Sequence, residues 1–457
     1  MKELTLKQIA DWCGGTVAPE YETVPVTGVE SDSRKVEVGD LFVALRGERV
    51  DGHDFIPSAK TLGASAALVS RPSEELPCVV VESPLRAYGE IAKHYREMTG
   101  VKVVGITGSV GKTTTKEMIA NVLSRDFKLY KSEGNHNNEI GLPMTVMNMP
   151  EDTELLVAEL GTNHPGEIAY LSAIAQPDYA VITNIGIAHI EYLGSREGIL
   201  REKLDILRSS LKNTVGIFNG DEPLLWNVRD KGTHKKYYFG IDNPSCDVVA
   251  SGIQELDDGM RFHVSGFHHE FELFVPALGR HMVYNALAAA TVGLAMGVKP
   301  ETIQNELSIF RNTGMRQKIY EKNGMTIIED CYNAGPESTE AALGVLASVK
   351  TSGKRIAVLG DMLELGNRSS AEHYRIGRIA AQKADLLLTY GAHSVRTVTG
   401  AITGGMSPKN AEHFDTHEDL VRMLKMRAGE ADVILFKGSR GMKMERVLQM
   451  FLDDHEV

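Results

Sequence analysis

Short runs of consecutive apolar residues alternate with longer amphipathic segments along most of the chain. Such runs are typical of strands buried on both faces of a parallel sheet, and the segments between them are typical of helices that cover the sheet. The pattern therefore predicts an α/β protein with mostly parallel sheets. The predicted strands lie at residues 40–45, 66–70, 101–106, 155–160, 179–183, 215–219, 326–329, 356–359, 386–389 and 433–436.

Two breaks in this pattern divide the chain into three predicted domains. The helix predicted at residues 84–98 ends at Thr99-Gly100, and a polar break lies at residues 311–314. At 457 residues the chain is too long for one core. We expect a small α/β domain, a central domain with a mostly parallel sheet and a C-terminal Rossmann-like domain, at residues 1–98, 99–314 and 315–457.

Composition and charge narrow the class of protein. Apolar residues make up 42% of the chain and charged residues 24%, which is typical of a globular protein. The formal net charge of −12 disfavours nucleic acid or an anionic membrane as a partner. Residues 1–15 are too polar for a signal peptide, and the apolar stretch at 286–298 is too short to span a bilayer. The four cysteines lack paired spacing, so we expect neither disulfides nor a zinc site, which fits a cytoplasmic protein. We also expect the protein to act on small molecules and to be a monomer.

A phosphate-binding loop lies between the strand predicted at residues 101–106 and a helix predicted at 113–124. The sequence before that helix reads T-G-x-x-G-K-T, a tighter variant of the P-loop, with Ile106 where the longer motif has glycine. Its glycines let backbone N–H groups close around phosphate oxygens, and the helix N-terminus adds a positive dipole end. The Lys112 ammonium adds a cation, and the Thr113 hydroxyl adds a ligand for Mg²⁺. The predicted nucleoside triphosphate contacts are Gly108, Ser109, Val110, Gly111, Lys112, Thr113 and Thr114.

Three further residues are candidates for the metal side of this site. Glu159 ends the strand predicted beside the phosphate loop, where a carboxylate can bind Mg²⁺, although it could instead cap a helix. His189 follows the next predicted strand and could bind a metal or a phosphate, or be structural. Lys203 falls inside the apolar face of a helix predicted at residues 199–211, with Glu202 on the charged face. Burial there favours the neutral amine, which reacts with CO₂ to give a carbamate, whereas a lysine at the edge of that face would extend to solvent.

Polar runs also follow the strands of the third predicted domain. They read EDCYNAGP, GDMLELG and KGSRG, and the last of them carries two cations that suit a carboxylate or a phosphate. Each run could also be a turn that caps a helix. Because ligands bind at the carboxyl ends of strands in open α/β sheets, we expect one site shared between domains.

Together these motifs resemble the Mur ligases, the ATP-dependent amide-forming enzymes that build the peptide of bacterial peptidoglycan. The resemblance covers essentially the whole chain. It implies that Lys112, Thr113 and Glu159 handle ATP and one Mg²⁺ ion, and that His189 and a carbamylated Lys203 hold a second Mg²⁺ ion. Two positions, Met282 and Gly335, carry residues other than the asparagine that the family pattern usually has.

The resemblance also implies binding residues in each predicted domain. Nucleotide contacts are expected from the central and third domains, UDP-sugar contacts from the first, and substrate contacts from the third. The nucleotide residues are Asn138, Asn285, Arg316, Asp330 and Asn333, the UDP-sugar residues are Ser31, Ser33 and Arg34, and the third-domain substrate residues are Asp361, Lys437 and Arg440.

Within the family, the runs in the third domain look most like the branch that adds D-alanyl-D-alanine to a UDP-N-acetylmuramoyl tripeptide. That likeness implies an acyl-phosphate intermediate and release of ADP and phosphate. The alternatives are the branch that adds a diamino acid, a folylpolyglutamate synthetase, and a P-loop switch that binds ATP to regulate a partner. The run Asp32-Ser33-Arg34 favours a UDP-sugar over a folate, and the Asp-Asn-Pro-Arg motif expected of the diamino-acid branch is not found in the sequence.

Overall fold

In the computed structural model, which describes residues 1–47, 49–208 and 213–453, sheets covered by helices follow one another along the chain. The prediction of an α/β protein with mostly parallel sheets is confirmed. No helix among the described residues has the length and apolar character needed to cross a membrane. The four cysteines are free thiols.

The N-terminal part contains a small parallel sheet and a separate antiparallel pair of strands. Ser83 caps its last helix, because the Ser83 side chain accepts a hydrogen bond from the Arg86 amide, and Gly100 ends that helix in a left-handed conformation at φ +65°. The elements are β1 (Leu4–Thr5), α1 (Leu6–Cys13), β2 (Pro25–Val26), β3 (Gly28–Glu30), β4 (Asp40–Val43), α2 (Ile56–Leu62), β5 (Ala66–Val69), β6 (Cys78–Val80) and α3 (Pro84–Thr99). The parallel sheet has the order β3-β4-β5-β6.

The central part is built on one large sheet. Its elements are β7 (Lys102–Thr107), α4 (Lys112–Leu123), β8 (Leu129–Lys131), α5 (Gly141–Met147), β9 (Leu155–Glu159), α6 (Glu167–Ala175), β10 (Tyr179–Ile182), α7 (Ile190–Leu193), α8 (Arg196–Leu204), β11 (Val215–Asn219), α9 (Pro223–Trp226), β12 (Lys236–Gly240), β13 (Val248–Leu256), β14 (Gly259–Gly266), β15 (His269–Val275), α10 (Arg280–Ala295) and α11 (Pro300–Ser308). The strand order is β15-β14-β13-β12-β11-β10-β7-β9-β8.

Both faces of the parallel region of this sheet are buried. Successive residues of β7 enter different cores, since Val103 packs with residues of α5 and α6 while Val104 packs with residues of α4 and α10. The strands from β8 to β13 are parallel, and β13 to β15 form antiparallel hairpins at one end. The sequence pattern did not predict these hairpins, because β14 and β15 alternate buried and exposed residues and lack long apolar runs.

The C-terminal part contains a third, mostly parallel sheet with an antiparallel edge strand, β16. Its elements are β16 (Lys318–Lys322), β17 (Met325–Asp330), α12 (Pro336–Ser348), β18 (Arg355–Gly360), α13 (Ser369–Lys383), β19 (Leu386–Tyr390), α14 (Val395–Thr403), β20 (Ala411–Phe414), α15 (His417–Arg427), β21 (Val433–Lys437) and α16 (Met444–Leu452). The strand order is β16-β17-β21-β18-β19-β20, and β16 pairs with β17 in the antiparallel direction.

The helix that carries Lys203 differs from the predicted one. Helix α8 begins after Ser195, whose side chain accepts a hydrogen bond from the Gly198 amide, and it ends at Leu204. A 3-10 turn at Asp205–Leu207 follows it. The predicted continuation to residue 211 lies outside the described residues.

The same helix buries Glu202, which the helical wheel had placed on the charged face. Glu202 Oε2 accepts a hydrogen bond from the Gly166 amide at 2.7 Å, and Oε1 accepts one from the Ile168 amide at 2.8 Å. Both amides belong to the N-terminus of α6, where backbone N–H groups lack partners within the helix. Glu202 is therefore buried as the cap of a neighbouring helix.

Candidate active site

Three strands of the central sheet end side by side. In the parallel register, Ile106 of β7 pairs with Glu159 of β9, and Thr107 pairs with Ile182 of β10. The phosphate loop after β7, the carboxylate at the end of β9 and the segment after β10 therefore lie together at one edge of the sheet.

Glycines shape the phosphate loop. Gly108 and Gly111 have φ angles of +152° and +84°, which favour glycine. A Cβ on Gly108 would lie 1.8 Å from Thr183 Oγ1, so no larger residue fits there without movement. Lys112 Nζ donates a hydrogen bond to the Gly108 carbonyl at 2.9 Å. Desolvation lowers the pKa of Lys112, and the nearby Glu159 carboxylate opposes this by raising it.

The Glu159 carboxylate forms a hydrogen bond with a hydroxyl at the end of this loop. The side chain is 2% exposed, and its Oε2 accepts a hydrogen bond from Thr113 Oγ1 at 2.6 Å. Asn137 Nδ2 donates to Oε1 at 2.9 Å. A carboxylate and a hydroxyl next to a phosphate loop are hard oxygen ligands of the kind that Mg²⁺ prefers, so these residues fit that ion.

The segment after β10 holds the phosphate loop from the other side. Asn184 Oδ1 accepts hydrogen bonds from the amides of Ser109 and Val110, at 3.1 and 2.9 Å. Ser109 Oγ accepts one from the Gly186 amide at 2.9 Å. The sequence analysis assigns no role to Asn184, although its place directly after a strand end in a polar run was a usable signal.

His189 contacts the C-terminal part of the chain. It has a φ angle of +60° and stands directly before α7. Its Nδ1 lies 2.5 Å from Glu364 Oε2, and this contact lowers the pKa of Glu364. Glu364 belongs to the GDMLELG run, but the sequence did not indicate that it reaches His189, because the two lie in different parts of the chain.

Lys203 is buried as the sequence indicated. The residue is 2% exposed, and among the described residues no hydrogen bond or ion pair holds its ammonium. Burial, with a smaller contribution from the Lys112 charge, lowers the pKa of Lys203 well below its ordinary value. Within residues 1–47, 49–208 and 213–453, no group of three or more His, Cys, Asp and Glu side chains is arranged to hold a metal ion.

A cleft of about 1050 Å³ joins these elements to the C-terminal part and to Arg86 of the N-terminal part. It brings together most of the predicted site residues from the central and third domains. Those that line it are Ser109, Val110, Gly111, Lys112, Thr113, Thr114, Asn138, Glu159, His189, Asn285, Arg316, Asp330, Asn333, Lys437 and Arg440. The predicted residues that do not line it are Gly108, Lys203, Ser31, Ser33, Arg34 and Asp361.

Lys437 and Asn138 line the cleft, and both have internal partners. Lys437 is 2% exposed, and its Nζ donates to Asp330 Oδ2 at 2.6 Å and to the Asn333 carbonyl at 3.0 Å. Asn138 Oδ1 accepts a hydrogen bond from the Gly141 amide at 2.9 Å and so caps α5. Its neighbour Asn137, which the sequence did not single out, is the one that contacts the carboxylate at the end of β9.

Asp361 is placed differently from the prediction. It is 2% exposed, and its Oδ1 accepts hydrogen bonds from the Ser394 amide at 2.7 Å and from Ser394 Oγ at 2.5 Å. The His393 amide donates to it as well, at 3.1 Å to Oδ2. The Asp361 carboxylate therefore stabilises the turn after β19 through these hydrogen bonds. Its engagement there argues against the predicted contact with substrate.

The predicted UDP-sugar residues follow β3 on the N-terminal part. Arg34 Nε and Nη2 donate to the two carboxylate oxygens of Asp32, at 2.8 and 2.7 Å. The side-chain hydrogen bond from Arg34 lowers the pKa of Asp32 to about 2. The amides of Ser31 and Asp32 donate to Glu30 Oε1 at 2.7 and 2.8 Å. Ser31, Ser33 and Arg34 are thus held in one turn, outside the cleft.

Comparison with known families finds three matching models along the chain. They are described as the Mur ligase family, catalytic domain, at residues 25–108; the Mur ligase middle domain, at residues 106–293; and the Mur ligase, glutamate ligase domain, at residues 315–440.

Comparison with individual proteins finds similarity over nearly the full length. The UDP-N-acetylmuramoyl-tripeptide–D-alanyl-D-alanine ligase of Bacillus subtilis is 41% identical, over 99% of this chain and 99% of that protein. A crystal structure of MurF from Acinetobacter baumannii has a TM-score of 0.89 and 32% identity, over 99% of both chains. A crystal structure of MurF ligase from Thermotoga maritima in complex with ADP has a TM-score of 0.82 and 31% identity, over 93% of this chain and 97% of that one.

Proposed function

We infer, because this chain belongs to the Mur ligase family, that it is an ATP-dependent ligase that joins D-alanyl-D-alanine to a UDP-N-acetylmuramoyl tripeptide in peptidoglycan precursor synthesis. The observation that carries the inference is the full-length similarity to a ligase of that name, at 41% identity over 99% of both chains. The cleft agrees with it, because a phosphate loop from the central part faces cations from the C-terminal part across one space.

The reaction that fits this site has two steps. A carboxylate oxygen of the tripeptide attacks the γ-phosphorus of ATP, and ADP leaves, which gives an acyl phosphate. The amine of D-alanyl-D-alanine then attacks the activated carbonyl carbon, loses a proton and releases inorganic phosphate. In the first step two anions approach each other, and the Lys112 ammonium beside the phosphate loop offsets their repulsion.

Metal ions belong to the same proposal. Thr113 and Glu159 would hold one Mg²⁺ ion, and His189 with a carbamate on Lys203 would hold a second. When bound, the ions would offset the negative charge of the phosphates. Burial of Lys203 supports the carbamate, because a desolvated lysine favours the neutral amine that attacks CO₂ and then loses a proton.

Substrate-binding residues are proposed for each part of the chain. Residues that line the cleft would contact the nucleotide, the turn after β3 would contact the UDP-sugar, and the C-terminal part would contact substrate carboxylates. The strands of the three main sheets fall within the proposed domains at residues 1–98, 99–314 and 315–457. The nucleotide residues are Asn138, Asn285, Arg316, Asp330 and Asn333, the UDP-sugar residues are Ser31, Ser33 and Arg34, and the carboxylate residues are Lys437 and Arg440.

The cellular setting follows from the same chemistry. We place the reaction in the cytoplasm, since the four cysteines are free thiols and the proposed substrates are ATP and a UDP-linked sugar peptide. A monomer is sufficient, because residues of a single chain line the cleft from all three parts.

Phosphate release tests the function directly. The chain is incubated with ATP, Mg²⁺ and each pairing of a UDP-muramoyl dipeptide or tripeptide with a diamino acid or D-alanyl-D-alanine. We expect release only with the tripeptide and D-alanyl-D-alanine. Release with the dipeptide and a diamino acid instead would assign the chain to the other branch, and release without any acceptor would point to a nucleotide switch.

The carbamate has its own test. With ¹³CO₂, the wild-type chain should show a carbamate carbon signal by NMR that is absent in Lys203→Ala, and this variant should bind ATP without turnover. Lys350→Ala removes an exposed lysine and should keep both the signal and the activity. A Lys203→Ala variant with full activity, or a wild-type chain without the signal, would overturn the carbamate.

A further inference from the structure

We propose that Glu337 is a positioning residue, which couples docking of the C-terminal part to the arrangement of the phosphate loop. This inference rests on the proposed function, because it concerns how the ligase cleft is assembled. Glu337 lies in the first turn of α12 and lines the cleft, yet its carboxylate contacts the central part of the chain.

The contact depends both on the Glu337 carboxylate and on the backbone at Gly186 and Ile187. Glu337 Oε1 accepts a hydrogen bond from the Ile187 amide at 2.9 Å. The neighbouring Gly186 lacks a side chain, and a Cβ at that position would lie 2.7 Å from Glu337 Oε1 and 3.2 Å from Oε2. The carboxylate therefore occupies the space that a side chain at position 186 would take, and it would have to shift if one were present. Since α12 and the segment after β10 belong to different parts of the chain, this hydrogen bond exists only when the two parts are docked.

The segment after β10, which binds Glu337 through the Ile187 amide, also forms hydrogen bonds with the phosphate loop. The Gly186 amide donates to Ser109 Oγ at 2.9 Å, and Asn184 Oδ1 accepts from the amides of Ser109 and Val110. One short stretch of backbone thus connects the Glu337 carboxylate to the residues that would surround the phosphates of ATP. Docking of the C-terminal part fixes this stretch, and the stretch fixes the loop.

Among the described residues, the hydrogen bond of the Glu337 carboxylate goes to another part of the chain and not to its own helix. A carboxylate in the first turn of a helix is stabilised by the free amides of its own helix, with no need to leave it. Here it crosses to another part of the chain, and its Oε2 is buried without a hydrogen-bond partner among the described residues. Such an atom is costly to bury, which indicates that the contact is kept for what it positions.

Glu337 is also a docking contact that can be changed without touching a proposed metal ligand. Another carboxylate that crosses between the two parts, Glu364, contacts His189 directly. Substitution of Glu364 would disturb docking and the proposed metal site together. Substitution of Glu337 disturbs docking without removing a contact of a proposed metal ligand.

Four single variants of the full chain and one double variant, which combines Glu337→Ala with Gly186→Ala, test the proposal. Glu337→Ala removes the acceptor, and Gly186→Ala displaces the carboxylate from the other side. Glu337→Gln keeps an acceptor oxygen at the same reach, and Glu340→Gln is the control, because it changes an exposed glutamate one turn further along α12 that pairs with Arg375. The readouts are kcat and KM for ATP from phosphate release, and hydrogen exchange of the Ile187 amide in the presence of Mg²⁺ and a non-hydrolysable ATP analogue.

We expect Glu337→Ala and Gly186→Ala each to lower kcat/KM for ATP about tenfold and to speed exchange at Ile187, as loss of one hydrogen bond to a charged group predicts. Glu337→Gln and Glu340→Gln should stay within about twofold of the wild type, since neither loses the contact. The double variant should be no worse than either single variant, because the three atoms nearest to the added methyl group all belong to the Glu337 carboxyl group, which Glu337→Ala removes.

Three results would overturn the proposal: wild-type exchange at Ile187 in Glu337→Ala, additive losses in the double variant, or a Glu337→Gln variant as impaired as Glu337→Ala. Gly186→Ala leaves the C-terminal part unchanged, so a folding defect in α12 cannot imitate its effect. If the wild-type chain releases no phosphate with the tripeptide and D-alanyl-D-alanine, the proposed function fails. Exchange at Ile187 still measures the contact in that case.

Discussion

Replacing Lys437 with methionine should lower the free energy of opening of the C-terminal sheet by about 3 kcal/mol. The Lys437 side chain is 3% exposed, and its Nζ donates to Asp330 Oδ2 at 2.6 Å. The substitution leaves the Asp330 carboxylate without its cation, and an unpaired buried charge costs about 3–5 kcal/mol. The lower end of that range applies because the Asp330 side chain is 17% exposed and keeps a 3.4 Å hydrogen bond from the Gln317 amide.

Hydrogen exchange of the amides in β17 and β21 measures this free energy locally. Adding Asp330→Asn removes the stranded charge and should recover more than half of the loss, although activity should stay low. Lys350→Met is the matched control, since its ion pair with Asp257 has side chains 81% and 75% exposed and should contribute less than about 1 kcal/mol. A loss no larger in Lys437→Met than in this control, or no recovery with Asp330→Asn, would refute the reasoning.

Two further outcomes are expected. Gly108→Ala should abolish ADP binding in calorimetry, because the residue has a φ of +152° and a Cβ would lie 1.8 Å from Thr183 Oγ1. Gly344→Ala, where a Cβ meets nothing within 4 Å, should bind ADP as the wild type does; tight ADP binding by Gly108→Ala would contradict the steric account. Arg34→Ala should raise the pKa of Asp32 from about 2 toward its ordinary 3.8, measured by carboxyl NMR titration. Because the folded pKa is the lower one, the contact stabilises the fold above about pH 4 and that contribution is lost as the pH falls through about 2; an unchanged Asp32 pKa in the variant would contradict it.

Features that depend on neighbouring residues in the sequence could be predicted. The parallel strands are continuous apolar runs because both of their faces are buried, as Val103 and Val104 in opposite cores illustrate. The phosphate loop needs glycines and a lysine at fixed spacing, so its position between β7 and α4 could be predicted from the sequence. The position of Glu159 at the edge of the sheet could be predicted because parallel strands end at the same edge, and Glu159 pairs there with Ile106.

Features that depend on how distant segments meet could not be predicted. Glu202 is buried because α6 presents unpaired amides to it, and no helical wheel contains that information. Asp361 looked like a ligand-binding residue, but the turn around Ser394 supplies donors that the local sequence does not reveal. Glu364 and Glu337 reach the central part only through docking of the C-terminal part, which no motif encodes.

The edge strand β16 affects how readily the protein aggregates at high concentration. A strand with a free edge can pair with the edge of another molecule, and such pairing is how folded sheets begin to aggregate. Along β16, Lys318, Glu321 and Lys322 are exposed, and the Lys318 ammonium lies 5.2 Å from the centre of the Tyr320 ring. An incoming strand would have to bury these charges. This edge of the sheet thus carries its own protection against self-association.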